Sequence, residues 1–268
     1  MTVNGAGIYV SADAGSTWSL GVAGTNTYVS AASSADGTHL AVALGNTGPG
    51  SANMAVSVNS GATWTFYGPN VAWTSVAMSS DGTHLAATMN GGGIYTSTDS
   101  GATWTLQSGS PTGAWSAIAS SSDGTHLAAT INGGVIYTSK DSGVTWTSQS
   151  GSPTGAWSAI ASSSDGTHLD ATIYGGGIYT SKDSGVTWTM VVGSNANWSS
   201  ITTSANGANV YAGVYNGLIH SVIFNQTTIG ASGSLAGSQG DAVTLQYIGN
   251  GTFIVLNYTS NSGSFTIQ

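Results

Sequence analysis

Residues 139–146 have the sequence SKDSGVTW, and the same eight residues return at 181–188. The copies lie in segments 107–148 and 149–190, which align without gaps over 42 residues. The segments differ at Ala128/Asp170, Asn132/Tyr174, Val135/Gly177 and Ser148/Met190. Looser copies, SADAGSTW, SVNSGATW and STDSGATW, begin at residues 11, 57 and 97. A phrase that returns at a nearly constant period predicts a fold built from one unit used several times.

We predict four short strands in each unit, labelled a to d. In one unit they are strand a at 115–121, strand b at 126–131, strand c at 136–139 and strand d at 144–149. Each stretch is rich in β-branched or aromatic residues and is bounded by Gly, Asn, Asp or Ser. Four antiparallel strands in each repeat indicate an all-β fold, namely a β-propeller of four-stranded antiparallel blades.

The composition argues against several classes of function. Only 4 % of the 268 residues are charged, the net charge is −8, and the sequence has two lysines, no arginine and no glutamate. Such a surface cannot neutralise phosphates, which argues against nucleic-acid binding, and it lacks the basic patch that anionic membranes attract. Without cysteine there are no disulfides and no thiolate metal sites. No apolar run approaches the roughly 18 residues that would predict membrane insertion.

The surface must consist largely of Ser, Thr, Asn and Gly, so we expect an extracellular or surface-exposed protein. The first ten residues, MTVNGAGIYV, have no basic segment and no long apolar segment, and they do not resemble a signal peptide. They resemble the middle of a repeat instead. A fragment of a larger protein and a permuted ring both remain open.

The phrase follows the pattern S-x-D-x-G-x-T-W, which resembles the Asp-box (BNR) repeat. This repeat occurs in sialidase-like, Vps10-like and Ycf48-like propellers and in xyloglucan hydrolases. The resemblance covers five units and implies a fold element at the turn between strands c and d. Because members of the family do unrelated things, the resemblance supports the fold and implies no particular function. The box positions are Asp13, Asn59, Asp99, Asp141 and Asp183.

The chemistry of the phrase agrees with a structural role. The carboxylate of Asp141 can accept hydrogen bonds from N–H groups of its own turn. Gly143 can adopt the positive φ that a tight turn often needs. On strand d, Thr145 and Trp146 should point to opposite faces, with the indole covering the blade interior or the neighbouring blade.

The number of blades can be estimated by counting strand a. Five units begin near Tyr28, Trp73, Trp115, Trp157 and Trp198. Residues 242–258 can be aligned on residues 157–173, so the C-terminal region would supply the inner strands of a sixth blade. Residues 7–20 would supply its outer strands. We therefore favour a single six-bladed domain over residues 1–268 whose two termini close the ring and remove free sheet edges.

One difficulty keeps a second arrangement open. Residues 264–268 and 7–11 both suit the place of strand c in the sixth blade. The alternative is five blades followed by a separate β element at 225–268, which could mediate oligomerisation.

The alternation of strand direction sorts the turns into two ends of the propeller. The a–b turns, with sequence DGTH, and the Asp boxes share one end, which we call the box end. The d–a loops and b–c turns share the other, which we call the loop end. The loop end is predicted to be rich in aromatic and amide side chains, which suit sugars. The candidate ligand-binding residues there are Trp73, Trp115, Trp157, Trp198, Asn90, Asn132, Tyr174 and Asn216. The alternative is that the tryptophans fill gaps between blades.

Four histidines recur in the DGTH turns, at His39, His84, His126 and His168. Each lies in a different blade, whereas the ligands of a metal must converge on one ion. We therefore expect solvated turn residues and no metal site.

The sequence does not favour an enzyme. Sialidases of this family use an arginine triad and a glutamate, and both residue types are absent. A glycosidase needs two carboxyl groups about 5–9.5 Å apart. Eight of the ten aspartates lie in repeated turns, and nothing in the sequence brings the other two, Asp170 and Asp241, together. We expect no catalysis and no cofactor.

The favoured function is a non-catalytic carbohydrate-binding module of the lectin or adhesin kind. Its partner would be a glycan or cell-surface polysaccharide, and near-identical blades would add weak sites together. The alternative is a structural or protein-interaction propeller, with a homo-oligomer formed through the C-terminal tail. A third possibility is one part of a multidomain enzyme.

Overall fold

The computed structural model describes residues 2–3, 6–23, 26–45 and 54–222, together with the backbone of four strands near the C-terminus. The chain divides into two compact units, Met1–Ile223 and Phe224–Gln268. Every regular element in these described parts is a β-strand, and the strands pair antiparallel, so the all-β prediction is confirmed. No helix long and apolar enough to cross a bilayer occurs in the residues described.

The first unit contains a three-stranded N-terminal sheet and a series of blades. The N-terminal sheet consists of β1 (Thr2–Val3), β2 (Gly7–Val10) and β3 (Ser19–Ala23). Blade 1 consists of β4 (Tyr28–Ser33), β5 (Leu40–Leu44), β6 (Met54–Ser57) and β7 (Thr65–Tyr67). Blade 2 consists of β8 (Trp73–Met78), β9 (Leu85–Gly92), β10 (Ile94–Ser97) and β11 (Thr105–Leu106). Blade 3 consists of β12 (Gly113–Ser120), β13 (Leu127–Gly134), β14 (Ile136–Ser139) and β15 (Thr147–Gln149).

Blades 4 and 5 share one continuous strand. Blade 4 begins with β16 (Gly155–Ser162), and β17 (Leu169–Ser181) then runs through the positions of strands b and c. The long strand β18 (Thr189–Thr203) is strand d of blade 4 and continues as strand a of blade 5. Blade 5 then adds β19 (Val210–Val214) and β20 (Ile219–Val222).

The second unit contains two separate strand pairs. β21 (Leu235–Ala236) pairs with β24 (Thr266–Ile267), and β22 (Ala242–Gly249) pairs with β23 (Thr252–Thr259). The two strands predicted within 242–258 are therefore confirmed as an antiparallel hairpin. Closure of a ring by the two termini and the six-blade count stay predictions.

The Asp box forms a compact turn held together by side-chain hydrogen bonds. The Oγ of Ser139 donates to Asp141 at 2.8 Å and accepts the N–H of Gly143 at 2.9 Å. The carboxylate of Asp141 accepts the N–H of Thr145 at 2.9 Å and its hydroxyl at 2.6 Å. The indole N–H of Trp146 donates to the carbonyl oxygen of Gly143 at 2.9 Å, and Gly143 has a φ of 90°. The predicted roles of Asp141 and Gly143 are confirmed.

The predicted start of strand d is wrong. The strand begins at Thr147, three residues later than expected, because Thr145 and Trp146 are held by hydrogen bonds within the box turn. Their side chains therefore belong to the turn and do not alternate across a strand.

Asn59 shows which part of the aspartate matters. Its Oδ1 accepts the N–H of Thr63 at 2.9 Å, as the box carboxylates do, and its Nδ2 donates to the Thr63 hydroxyl at 2.8 Å.

We predict that Asp141→Asn retains most of the stability, whereas Asp141→Ala loses about 1 kcal/mol, the usual cost of losing a side-chain cap. Urea unfolding of both variants measures this, and equal losses would show that the carboxylate charge, and not the side-chain oxygen alone, stabilises the turn.

Neighbouring blades pack through small and large apolar side chains. Between blades 3 and 4 the buried cluster is Ala117, Ala119, Ala128, Ile136, Trp157, Ile160, Leu169 and Ala171. Alanines on one blade let the Trp, Ile and Leu side chains of the next approach closely, which gives dense packing without long side chains on both faces.

The box end adds a second set of contacts between blades. Backbone hydrogen bonds of 2.7–2.8 Å join the a–b turns in series: Ala35 to Ser80, Ser80 to Ser122, Ser122 to Ser164 and Ser164 to Ala205. Each turn histidine also lies against the glycine of the next a–b turn. A Cβ built on Gly124 would lie 2.6 Å from the Cβ of His84. The DGTH histidines are therefore partly exposed turn residues whose inner part lies against the next blade.

Candidate functional site

The four tryptophans of the predicted ligand site are buried. The exposed fractions are 1 %, 2 %, 1 % and 3 % for Trp73, Trp115, Trp157 and Trp198. The indole N–H of Trp115 donates to the carbonyl oxygen of Gly92 in the preceding blade at 3.0 Å. Its ring centroid lies 5.5 Å from that of Tyr137 and 6.2 Å from that of Trp146. These positions agree with filling of the blade interior and leave no ring face open to a sugar.

The b–c turns at the loop end are exposed, in contrast to the tryptophans. The predicted residues Asn90, Asn132, Tyr174 and Asn216 all face solvent. Beside them, Gly91, Gly133 and Gly175 have positive φ, and nothing lies within 4 Å of a Cβ built on them. The tips of these turns are therefore accessible to a large ligand.

In blade 5 the strand register places Tyr215, and not the predicted Asn216, at the turn position that Tyr174 holds in blade 4. Trp157 pairs with Ile173, and Trp198 pairs with Val214, so the residue that follows each partner is a tyrosine, Tyr174 or Tyr215. Asn216, with a φ of 53°, occupies the position that Gly175, which also has a positive φ, holds in blade 4. The sequence YNGL, compared with YGGG in blade 4, was the signal that could have found Tyr215.

The b–c turns are fixed by backbone pairing with the next blade. The pairs are Asn90↔Ala114, Asn132↔Ala156 and Tyr174↔Asn197. Because this pairing already orders the turn, a ligand bound there would pay little conformational entropy.

Two tyrosines flank Asn197 at the boundary of blades 4 and 5. Asn197 pairs with Tyr174, and its carbonyl oxygen accepts the N–H of Tyr215 at 2.8 Å. Tyr174 and Tyr215 are 51 % and 62 % exposed, and Leu218 is 75 % exposed. We call Tyr174, Asn197, Tyr215, Asn216 and Leu218 the tyrosine patch. The sequence pointed to Tyr174 and Asn216 but missed the other three members.

The loop end carries no charged side chain among the residues that the structure describes. Lys140 and Lys182 lie in box turns, and eight aspartates lie in the two kinds of turn at the box end. Asp170 is buried, and Asp241 lies outside the described residues. A ligand of the loop end would therefore be recognised by hydrogen bonds and apolar contact, without ion pairs.

The turn aspartates are committed to their own turns. Asp81 accepts the Ser79 hydroxyl at 2.6 Å and the N–H of Thr83 at 2.9 Å, and these bonds lower its pKa to about 2. Such a carboxylate stays ionised and is a poor proton donor near neutral pH. Asp170 differs because burial raises its pKa, but no second carboxylate among the described residues accompanies it in a pocket.

The histidines do not form a metal centre in the described part of the chain. No group of three or more His or Asp side chains there is arranged to hold a metal ion. The ring Nδ1 of His84 instead lies 2.9 Å from the hydroxyl of Thr83 in its own turn.

Solved structures with the same fold are β-propellers. Neither the scan against protein-family models nor the search of curated proteins found a match. A structure of Ycf48 bound to D1 peptide has a TM-score of 0.55 and 17 % identity over 74 % of this chain. The GH74 xyloglucanase from Xanthomonas campestris has a TM-score of 0.65 and 16 % identity over 84 % of this chain. A nidogen/laminin complex has a TM-score of 0.61 and 11 % identity over 77 % of this chain.

These likenesses confirm the β-propeller prediction. At such low identity they establish the fold alone. The chain spans 65 % of the Ycf48 chain, 42 % of the xyloglucanase chain and 80 % of the matched chain in the nidogen/laminin complex.

Proposed function

We propose that this protein is a non-catalytic recognition propeller of the Asp-box kind whose loop end binds an uncharged glycan through the tyrosine patch. The observation that carries this proposal is the pair of exposed tyrosines, Tyr174 and Tyr215, on either side of Asn197. Phenol rings can stack on the C–H face of a pyranose, and the amide can both donate to and accept from its hydroxyl groups.

The absence of charge at the described loop end supports a neutral ligand. A polysaccharide without carboxylate or sulfate groups needs no ion pair, and extended chains can contact several turns at once. Binding at adjacent blades would then combine weak contacts into a useful affinity. An extracellular or cell-surface location, where such polymers occur, belongs to the same proposal.

A non-catalytic role is supported by the state of the carboxyl groups. Eight aspartates are tied to their own turns, and Asp170 is 1 % exposed, so among the described residues no pair of carboxyl groups faces a ligand. Glycoside hydrolysis requires such a pair.

The proposal predicts a loss of glycan binding on removal of the two rings. Tyr174→Asn installs the residue of blade 3, and Tyr215→Asn repeats the change in blade 5. Each should weaken binding on a glycan array by about 10-fold, the upper range expected for one aromatic contact. Val144→Ala is the control, because it trims an exposed side chain at the box end to the residue found in the blade 2 box, and it should leave binding unchanged. Wild-type affinity in the Tyr174→Asn, Tyr215→Asn double variant would contradict the proposal.

A second candidate function is recognition of a protein. The exposed apolar side chains of Leu218 and Ile219, 75 % and 79 % exposed, favour it. Similar folds include Ycf48 with a bound peptide and a nidogen/laminin complex. Two results together would favour this second function. The wild-type protein would bind no glycan on the array, and it would bind a protein partner that the Leu218→Ser variant no longer binds.

A further inference from the structure

The exposed residues of the b–c turns belong to a longer series that crosses the strands from blade to blade. In blade 3, Trp115 pairs with Ile131, and the next residues toward the loop end are Ala114 and Asn132. Side chains alternate between the two faces of a strand, so these two residues face away from the buried Trp115. Both are exposed, as the alternation requires.

Pairing between blades extends this arrangement to both neighbours of blade 3. Ala114 pairs with Asn90 of blade 2, and Asn132 pairs with Ala156 of blade 4. Residues directly opposite each other in an antiparallel pair lie on the same face of the sheet. Four successive strands therefore present Asn90, Ala114, Asn132 and Ala156 side by side.

The series continues into blade 5, because strand a pairs with strand b in the same way at the tryptophans of blades 2, 4 and 5. We call it the cross-strand row, and its members in order are Ala72, Asn90, Ala114, Asn132, Ala156, Tyr174, Asn197 and Tyr215. From Asn90 onward every member is exposed, and none of the eight is charged. Neighbouring strands lie about 4.8 Å apart, so the row follows a course of about 34 Å.

The row has two parts of different chemistry. From Ala72 to Ala156, methyl groups alternate with amides, which can both donate to and accept from hydroxyl groups. The other part, from Tyr174 to Tyr215, belongs to the tyrosine patch and adds two phenol rings that can stack on sugars. Contact is therefore available along the whole row and is strongest at its aromatic end.

The row is not suited to an added peptide strand. Its backbone already pairs at the boundaries between blades 2 and 3, 3 and 4, and 4 and 5. Strand addition needs an unpaired sheet edge. The row offers a ligand side chains on one face, and these suit a flat chain that presents both C–H and hydroxyl groups.

We propose that the cross-strand row is a track for the interior of a linear, extended, uncharged polysaccharide. This inference rests on the glycan binding proposed above and adds the length and shape of the ligand. The chain lies across the strands from Tyr215 toward Asn90, and it does not insert one end into the tyrosine patch. A chain that coils would leave the row after a short contact, whereas an extended chain follows it.

Calorimetric titration of the full-length chain tests the length of the site. The probes are neutral oligosaccharides of two to six sugars from three extended series (cello-, manno- and N-acetylchito-oligosaccharides) and one coiled series (malto-oligosaccharides). In at least one extended series, affinity should rise about 10-fold or more from disaccharide to hexasaccharide, since each added hydrogen bond contributes about 1 kcal/mol. The coiled series should show no such rise.

Asn132→Tyr tests the course of the track by a gain of binding, which misfolding cannot produce. It gives blade 3 the residue of blade 4 and adds a third ring to the row. Affinity for the hexasaccharide should rise by up to about 10-fold, the upper range for one aromatic contact, while affinity for the disaccharide stays unchanged. Val144→Tyr adds the same ring at a 58 % exposed position of the box end and should change neither affinity.

The failure of the track can be told apart from the failure of the proposed function. Equal affinities for disaccharide and hexasaccharide, both lost in Tyr174→Asn, would overturn the track and leave the tyrosine patch as a glycan site. Glycan-array binding without binding of any extended series would do the same, whereas no binding in either experiment would overturn both proposals. Unchanged hexasaccharide affinity in Asn132→Tyr, or an equal gain in Val144→Tyr, would also overturn the track.

Discussion

Trp157→Ala is expected to lower the free energy of unfolding by about 3–5 kcal/mol, the usual loss when a buried tryptophan is truncated. The indole is 1 % exposed, and its ring centroid lies 5.5 Å from Tyr179 and 6.2 Å from Trp188. Its N–H donates to the carbonyl oxygen of Gly134 at 3.1 Å, which links blade 4 to blade 3. Truncation therefore opens a cavity and removes a bond between blades.

A graded series separates these two effects. Trp157→Phe keeps an aromatic ring but loses the hydrogen bond to Gly134, and it should cost less than truncation, with about 1 kcal/mol attributable to the bond itself. Tyr174→Ala removes an exposed ring of similar chemistry and should stay within about 0.5 kcal/mol of the wild type. Urea unfolding followed by far-ultraviolet circular dichroism measures all three. A loss below about 1 kcal/mol for Trp157→Ala would show that the ring is not part of the core.

The series also separates stability from ligand binding. Trp157 and the tyrosine patch both belong to blades 4 and 5, but only the patch is exposed. We expect Trp157→Phe to retain glycan binding while Tyr174→Asn loses it. The opposite pattern would place the ligand near the tryptophans, as the sequence first suggested.

The box turn was predictable because its interactions are local. Asp141, Gly143 and Thr145 lie within five residues, and the side-chain oxygen of one reaches the backbone N–H of another without help from the rest of the fold. Repetition of the same phrase then predicted repeated antiparallel strands. In the unit at 113–149, the ends of all four predicted strands agree with the observed ends to within three residues.

The burial of Trp115 was not predictable in the same way. Its position at the start of strand a is the same whether the ring faces solvent or the interior. The deciding contact, with the carbonyl oxygen of Gly92, depends on the distance between two blades, which a repeated sequence does not reveal. The contact of His84 with Gly124 has the same origin.

The two 42-residue segments differ at four positions, and Asp170 is the one at which we expect the largest effect on stability. It is 1 % exposed, and neither carboxylate oxygen makes a hydrogen bond. Burial is the main cause that raises its pKa, and the nearby hydroxyls of Thr180 and Thr203, which do not reach hydrogen-bonding geometry with the carboxylate, offset part of that effect. The charges of His168 and Lys182 offset less. A buried carboxyl without full hydrogen bonding destabilises a fold.

Asp170→Ala should therefore raise the free energy of unfolding by about 1–3 kcal/mol at pH 7, the cost of an unsatisfied buried polar group. The twin repeat supplies the control, since Ala128 occupies the same position in blade 3 and is also 1 % exposed. Ala128→Asp should destabilise the protein by at least as much, because that side chain would meet the packed face of blade 4.

The dependence on pH gives a sharper test. Because the folded protein holds the Asp170 proton above the ordinary pKa of 3.8, the wild type loses stability as pH rises from that value through the raised pKa. Asp170→Ala lacks this slope, so its advantage should be largest near neutral pH and should shrink as pH falls to about 3.8 and below, where only the cost of the buried neutral carboxyl remains. The turn aspartates, whose pKa values are lowered, respond equally in both proteins and cancel in the difference. Urea midpoints measured between pH 3 and pH 8 give this difference directly, and a constant gap, or a less stable Asp170→Ala protein at pH 7, would show that the carboxyl has a partner that stabilises its charge.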